Sequence, residues 1–177
     1  MIALAEVDPG CAVSGAERDV AVANWLMSAA DDRERVRAAW ESTRTAPLRC
    51  GALFAAVRIP VELVYAAAGA REVGAVDRYL GEVLAGPAFL DTYWQHYWAL
   101  VHPGAAGLWR DEGIACLGTG TEVEVPHPRL TDCGDAGCSY WAVPPRRPGH
   151  LCASSAVLHL VMYGRHRLVV DRGGEGR

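Results

Sequence analysis

Trp94, His96, Trp98 and His102 recur at even spacing within the stretch FLDTYWQHYWALVHPG, Phe89 to Gly104. In an extended chain successive side chains alternate, so these four share one face with Leu100 while Tyr93, Gln95, Tyr97, Ala99 and Val101 take the other. Successive members of the aromatic face would stand about 7 Å apart along the strand. Two indoles and two imidazoles so arranged can stack a nucleobase or sugar and meet a phosphate or hydroxyl. Arg58, the one charged residue in ALFAAVRIP, would add a cation to such a surface. The competing reading is that the tryptophans fill the space between sheet and helices and the histidines sit at wet strand ends.

Two further constellations carry chemistry. Glu122 and Glu124 in TEVEVP lie at i and i+2, so their carboxylates fall on one side of a strand, opposite Val123 and Val125. With His96 or His102 beside them they could divide acid and base roles on a nucleotide or small metabolite. Any half-exposed antiparallel strand shows the same alternation. His127, Cys133, Cys138, His150 and Cys152 offer enough ligands for a tetrahedral zinc. The spacing of Cys133 and Cys138 is wider than the two-residue knuckle, and plain loop or buried thiols fit it as well. Cys11, Cys50 and Cys116 stand alone and read as small packing residues. No nucleophile motif stands out, and the Gly118 to Gly120 GTG precedes a strand where a phosphate-cradling loop would precede a helix.

The elements that must position these residues can be read in three parts. Ser14 with Glu17 is a capping-box signature, and Val22, Trp25, Leu26 and Ala29 follow at helical spacing, which predicts a helix over Ala16 to Ala29. Asp31 and Asp32 can cap a second helix, RERVRAAWES, and STRTAP then links this N-terminal helical hairpin to the rest. ALFAAVRIP predicts a buried strand that Pro60 ends, starting the helix VELVYAAAGA. REVGAVDRYLGEVLA continues helical until Gly86 and Pro87. Strands follow at AFL, QHYWALV, TEVEVP and SYWAVP, then a helix SSAVLHLVMYG ending at Gly164 and a short final strand RHRLVVD.

The expected fold is therefore α+β, a mainly antiparallel sheet with helices packed on one face, preceded by the helical hairpin. The expected boundaries are 1–46 for the hairpin and linker, 47–172 for the core domain and 173–177 for a disordered tail. At 177 residues, 51% hydrophobic, the chain is long enough for one well-filled core.

Composition narrows the function classes. All 17 basic residues are arginine, which looks like the codon usage of a high-GC actinobacterial genome, and the net charge is -4. Without an overall basic field, nucleic-acid binding would need a local patch. Arg146 and Arg147, with Arg165, Arg167 and Arg172, are the candidates for one. The first ten residues include Glu6 and Asp8 and lack a signal-peptide pattern, and no run is long enough to span a bilayer, so a cytoplasmic protein with reduced cysteines and no membrane partner is expected.

The order of strand, Pro-started helix, GPAFLDTYWQHYWALVHPG, CLGTGTEVEVPHP and YWAVPP, from about Trp25 to Gly164, resembles a set of small Streptomyces-type actinobacterial proteins with no assigned activity. More distantly, Gly51 to Pro144 is similar to the N-terminal domain of actinobacterial bifunctional primase-polymerase proteins. That resemblance implies that Thr92 matches a turn and that His96 matches a histidine contacting nucleotide phosphate. Polymerase chemistry of that type needs acids at i and i+2 of a strand to hold divalent metal. This chain has Val57, Arg58 and Ile59 there, with Trp94 and Gln95 in place of the glycines before the histidine. The departures imply a non-catalytic, regulatory or accessory domain that binds a nucleotide-like small molecule or a protein partner through Trp94, His96, Trp98, His102 and Arg58. The alternative is an enzyme using His96 or His102 with Glu122 and Glu124.

Overall fold

The computed structural model describes residues 14–111, 113–132 and 138–174. Helix α1, Gly15–Met27, begins at the expected capping box: the Ser14 hydroxyl accepts from the Glu17 amide while Glu17 accepts from the Ser14 amide. Helix α2, Arg33–Thr43, starts where the Asp32 carboxylate accepts from the amides of Glu34 and Arg35. It ends at Arg44 in the left-handed region.

STRTAP is not a linker. Ser42 and Thr43 complete α2, and Thr45 opens strand β1, Thr45–Arg49. This strand pairs antiparallel with β6, Glu122–Pro126, setting Leu48 opposite Val123 and Ala46 opposite Val125. A proline at position 47 is tolerated because a two-stranded ribbon has free edges.

The main sheet has five strands in the order β5-β2-β4-β3-β7, with antiparallel pairings. They are β2 (Ala55–Pro60), β3 (Ala88–Asp91), β4 (His96–Val101), β5 (Cys116–Leu117) and β7 (Tyr140–Val143). One face carries Val57, Ile59, Tyr97, Ala99 and Tyr140 and packs against α3 (Val61–Ala68), α4 (Val73–Leu84) and α6 (Ser154–Gly174). The other carries Ala56, Phe89, Trp98, Leu100 and Trp141, and shares a core with α1, α2 and the inner residues of the β1–β6 ribbon. A four-residue helix α5, Ala105–Leu108, lies between β4 and β5. The architecture is α+β, as the sequence predicts, with a second apolar layer on the far face of the sheet.

The final helix differs from expectation. It runs through Gly164 to Gly174, where RHRLVVD was expected as a strand. Of the expected tail, Gly173 and Gly174 belong to this helix and 175–177 lie outside the described residues. Gly164 marks a helix crossing, since a Cβ there would collide with the Leu63 carbonyl oxygen of α3. Among the described residues no helix is long and apolar enough to cross a membrane.

The crossing is testable by paired substitutions. Gly164→Ala should lower stability by roughly 1–3 kcal/mol through overpacking. Gly81→Ala, in the interior of α4 with nothing within 4 Å of the new methyl, should raise it by about 0.5–1 kcal/mol. Urea unfolding of both variants measures this, and equal midpoints would refute the close α3–α6 contact.

Candidate functional site

The aromatic stretch divides into a turn and a strand. Residues 92–95 join β3 to β4, so Trp94 lies on the hairpin turn, and His102 falls one residue past the end of β4. The expected single face therefore reduces to His96, Trp98 and Leu100. The physical reason is the Asp91 carboxylate, whose Oδ1 accepts from the amides of both Tyr93 and Trp94 at 3.1 Å. That side-chain cap bends the backbone before alternation can begin. Gln95 follows at φ 55, its side chain donating to the Thr92 carbonyl at 2.6 Å, and its own carbonyl accepts from the Val61 amide.

On this fixed turn the two rings stand free of the core. Tyr93 is 81% exposed and Trp94 68% exposed, packed edge to face with centroids 4.9 Å apart. Trp98 is 8% exposed and stacks on Phe89 at 6.4 Å. It is cross-strand partner to Arg58, as His96 is to Pro60 and Asp91, so these side chains occupy one face of the sheet. Arg58 is exposed and makes no ion pair with any described residue. Val57 and Ile59 on either side of it are buried in the opposite core.

Two nitrogens on this face are buried without a partner, His96 Nδ1 and Trp98 Nε1. Other indoles are satisfied: Trp40 Nε1 donates to the Val125 carbonyl at 3.0 Å, Trp141 Nε1 to Pro126 at 3.1 Å and Trp109 Nε1 to Ile114 at 2.7 Å. A buried donor left unpaired costs about 1–3 kcal/mol, so the Trp98 site favours an acceptor.

The acid–base set of the enzyme reading does not converge. His96 and His102 stand near opposite ends of β4, about 20 Å apart at strand rise. His102 is exposed, with Nδ1 accepting from the Gly104 amide. Val123 and Val125 take the inward side of β6, so Glu122 and Glu124 point away from β4 into solvent. Glu122 instead faces Arg49 at 3.6 Å and lines a cleft of ≈ 810 Å³ together with Asp31 and Thr119.

The proposed zinc ligands are likewise engaged elsewhere. His150 uses both ring nitrogens, accepting from the Arg146 amide at Nδ1 and lying 2.9 Å from the Ala85 carbonyl at Nε2. Cys152 is buried beneath Pro87, and burial pushes its thiol up to about 12. His127 lies edge-on to Trp40, and burial lowers its pKa ahead of the nearby Arg129 charge. Cys138 approaches the Arg44 guanidinium at 3.5 Å. Cys11 and Cys133 lie outside the described residues, and no three metal-ligating side chains converge among those described. Of the candidate arginines, Arg146 and Arg147 are exposed on one loop, while Arg165 is held by Asp111 in a bidentate pair at 2.6 and 2.7 Å.

One titratable group went unnoticed in the sequence. Asp77 on α4 accepts from the Tyr140 hydroxyl at 3.1 Å. Its signal was a carboxylate inside the apolar stripe between Val76 and Leu80. Burial pushes its carboxyl up to about 6, outweighing the Tyr140 hydrogen bond, and Glu72 adds to the rise. Tyr97 is also pushed well above the usual phenol range, first by burial and then by Asp77.

No protein-family model matches the chain, and neither do curated proteins or solved structures.

Asp77 makes a pH-dependent prediction. Its folded-state pKa lies above the ordinary 3.8, so between 3.8 and about 6 the folded chain binds more protons than the unfolded one, and this contribution to stability is lost as pH rises through that window. Asp77→Asn keeps an acceptor for Tyr140 without titrating. Its melting temperature should exceed wild type at pH 7, and that advantage should shrink as pH falls towards 3.8. A difference that stays constant across the range would rule Asp77 out as the source.

Proposed function

We propose that this protein is a non-catalytic partner-binding domain whose contact surface is the β3–β4 hairpin end of the main sheet. The observation that carries the reading is the Tyr93–Trp94 pair, exposed on a turn whose backbone Asp91 already holds. Large aromatic side chains on a fixed backbone lose little entropy on binding and dominate the energy of protein contacts. Arg58, exposed and without an ion pair among the described residues, supplies the other side-chain type that recurs at such hot spots. A projecting tip suits a protein partner better than a ligand that must be enclosed.

A second reading is favoured by the unpartnered Trp98 Nε1 and His96 Nδ1 beside Arg58. On this reading a small anionic, nucleotide-like ligand supplies the acceptor that these two buried nitrogens lack, as the resemblance of the sequence to primase-polymerase domains would imply for His96. Neither reading needs turnover, and the acid–base set of the enzyme alternative, His96 with Glu122 or Glu124, is not brought together.

Affinity capture from a native extract, run with wild type and the Tyr93→Ala/Trp94→Ala variant, tests the first reading. A stoichiometric partner should be retained by wild type and weakened about tenfold or more by the variant, as hot-spot truncation costs about 2 kcal/mol. Retention indifferent to the two rings would end it. A melting-temperature rise with nucleotides, lost in His96→Ala, would select the second.

A further inference from the structure

We propose that the cleft between the α1–α2 turn and the outer end of the β1–β6 ribbon is a second binding site, for a small molecule that carries both a cationic amino or guanidino group and a carboxylate. Its volume, ≈ 810 Å³, falls within the range of small-molecule sites. Small residues leave this space open: Ala29, Ala30, Gly51, Ala52 and Gly120 line it. Gly51 at φ 107 and Gly120 at φ 88 turn two loops in a conformation that side-chain-bearing residues rarely adopt.

The charges on the cleft define the ligand. Arg49 reaches Asp31 at 2.7 Å and Glu122 at 3.6 Å, placing one guanidinium between two carboxylates. Asp31 comes from the helical turn and Glu122 from β6, so the 2.7 Å contact joins separate elements and is more than a cross-strand pair within the ribbon. The same three residues also line an adjoining hollow of ≈ 100 Å³. All three side chains are more than half exposed, at 57, 74 and 56% for Arg49, Asp31 and Glu122. Exposed ion pairs are weak and exchange readily with other charged groups. A carboxylate can replace Asp31 on Arg49, and the ligand cation then takes the released carboxylates. The triad's charge of one positive against two negative groups suits such a ligand better than a simple anion.

The cleft binds without covalent chemistry. Cys50 at its edge is buried, and burial raises its thiol pKa above the ordinary value, so it is no nucleophile at neutral pH. Thr121, the neighbouring hydroxyl, already donates to the Gly118 carbonyl at 2.6 Å.

Calorimetric titration of the full chain with glycine, L-lysine and L-arginine tests the proposal, with agmatine, which carries positive charge but no carboxylate, and acetate, which carries only a carboxylate, as single-sign controls. At least one amino acid should bind saturably, about tenfold or more tighter than either control. Arg49→Gln should reduce its affinity to the agmatine level, and Glu122→Gln should weaken both it and agmatine. Both positions are exposed, and unchanged urea midpoints would show that the fold is intact. The Tyr93→Ala/Trp94→Ala variant should bind with wild-type affinity, which separates this site from the hairpin surface. Absence of saturable binding by all three amino acids, or equal affinity in the Arg49 and Glu122 variants, overturns the proposal.

Discussion

Strand β4 is apolar on both sides, and the rest of the molecule is organised by that requirement. Tyr97, Ala99 and Val101 face one core while Trp98 and Leu100 face the other. A strand of this kind is stable only with an apolar layer on each face of its sheet. Helices α3, α4 and α6 provide one layer. The other combines α1, α2 and the inner side of the β1–β6 ribbon, which explains why a short two-stranded ribbon persists away from the main sheet.

The same requirement separates exposed aromatic residues from packed ones. Once Trp98 enters the second core, the aromatic groups of this stretch left most exposed are those the turn carries outward. Asp91 does this by spending its carboxylate on two backbone amides, so the turn cannot continue the strand. The polar residues of β4 and β2 that remain on this face, His96 and Arg58, lie at its hairpin end. The contact surface proposed above lies where the apolar cover stops.

Much of the fold was legible because it follows local rules. Ser14 with Glu17, and Asp32 ahead of α2, satisfy orphan amides from nearby side chains, so these helix starts are visible in a few letters. The single exposed position in β2 was equally plain, since Arg58 interrupts an apolar run. The polar-out, valine-in reading of Glu122 and Glu124 held for the same reason. Errors came where distant contacts decide. Gly164 looks like a helix terminator until α3 is seen to press against it, and β1 has too few residues, one of them proline, to register as a strand without β6.

By itself the sequence determined the α+β class, the helix caps and the alternation along β4, because each depends on residues within a few positions of one another. Only the tertiary structure decided that Trp98 packs while Trp94 projects, that His96 and the two glutamates face apart, and that Asp31, Arg49 and Glu122 meet at one cleft. Those outcomes depend on which faces two apolar layers cover and on pairings between segments far apart in the chain, and no local pattern encodes either.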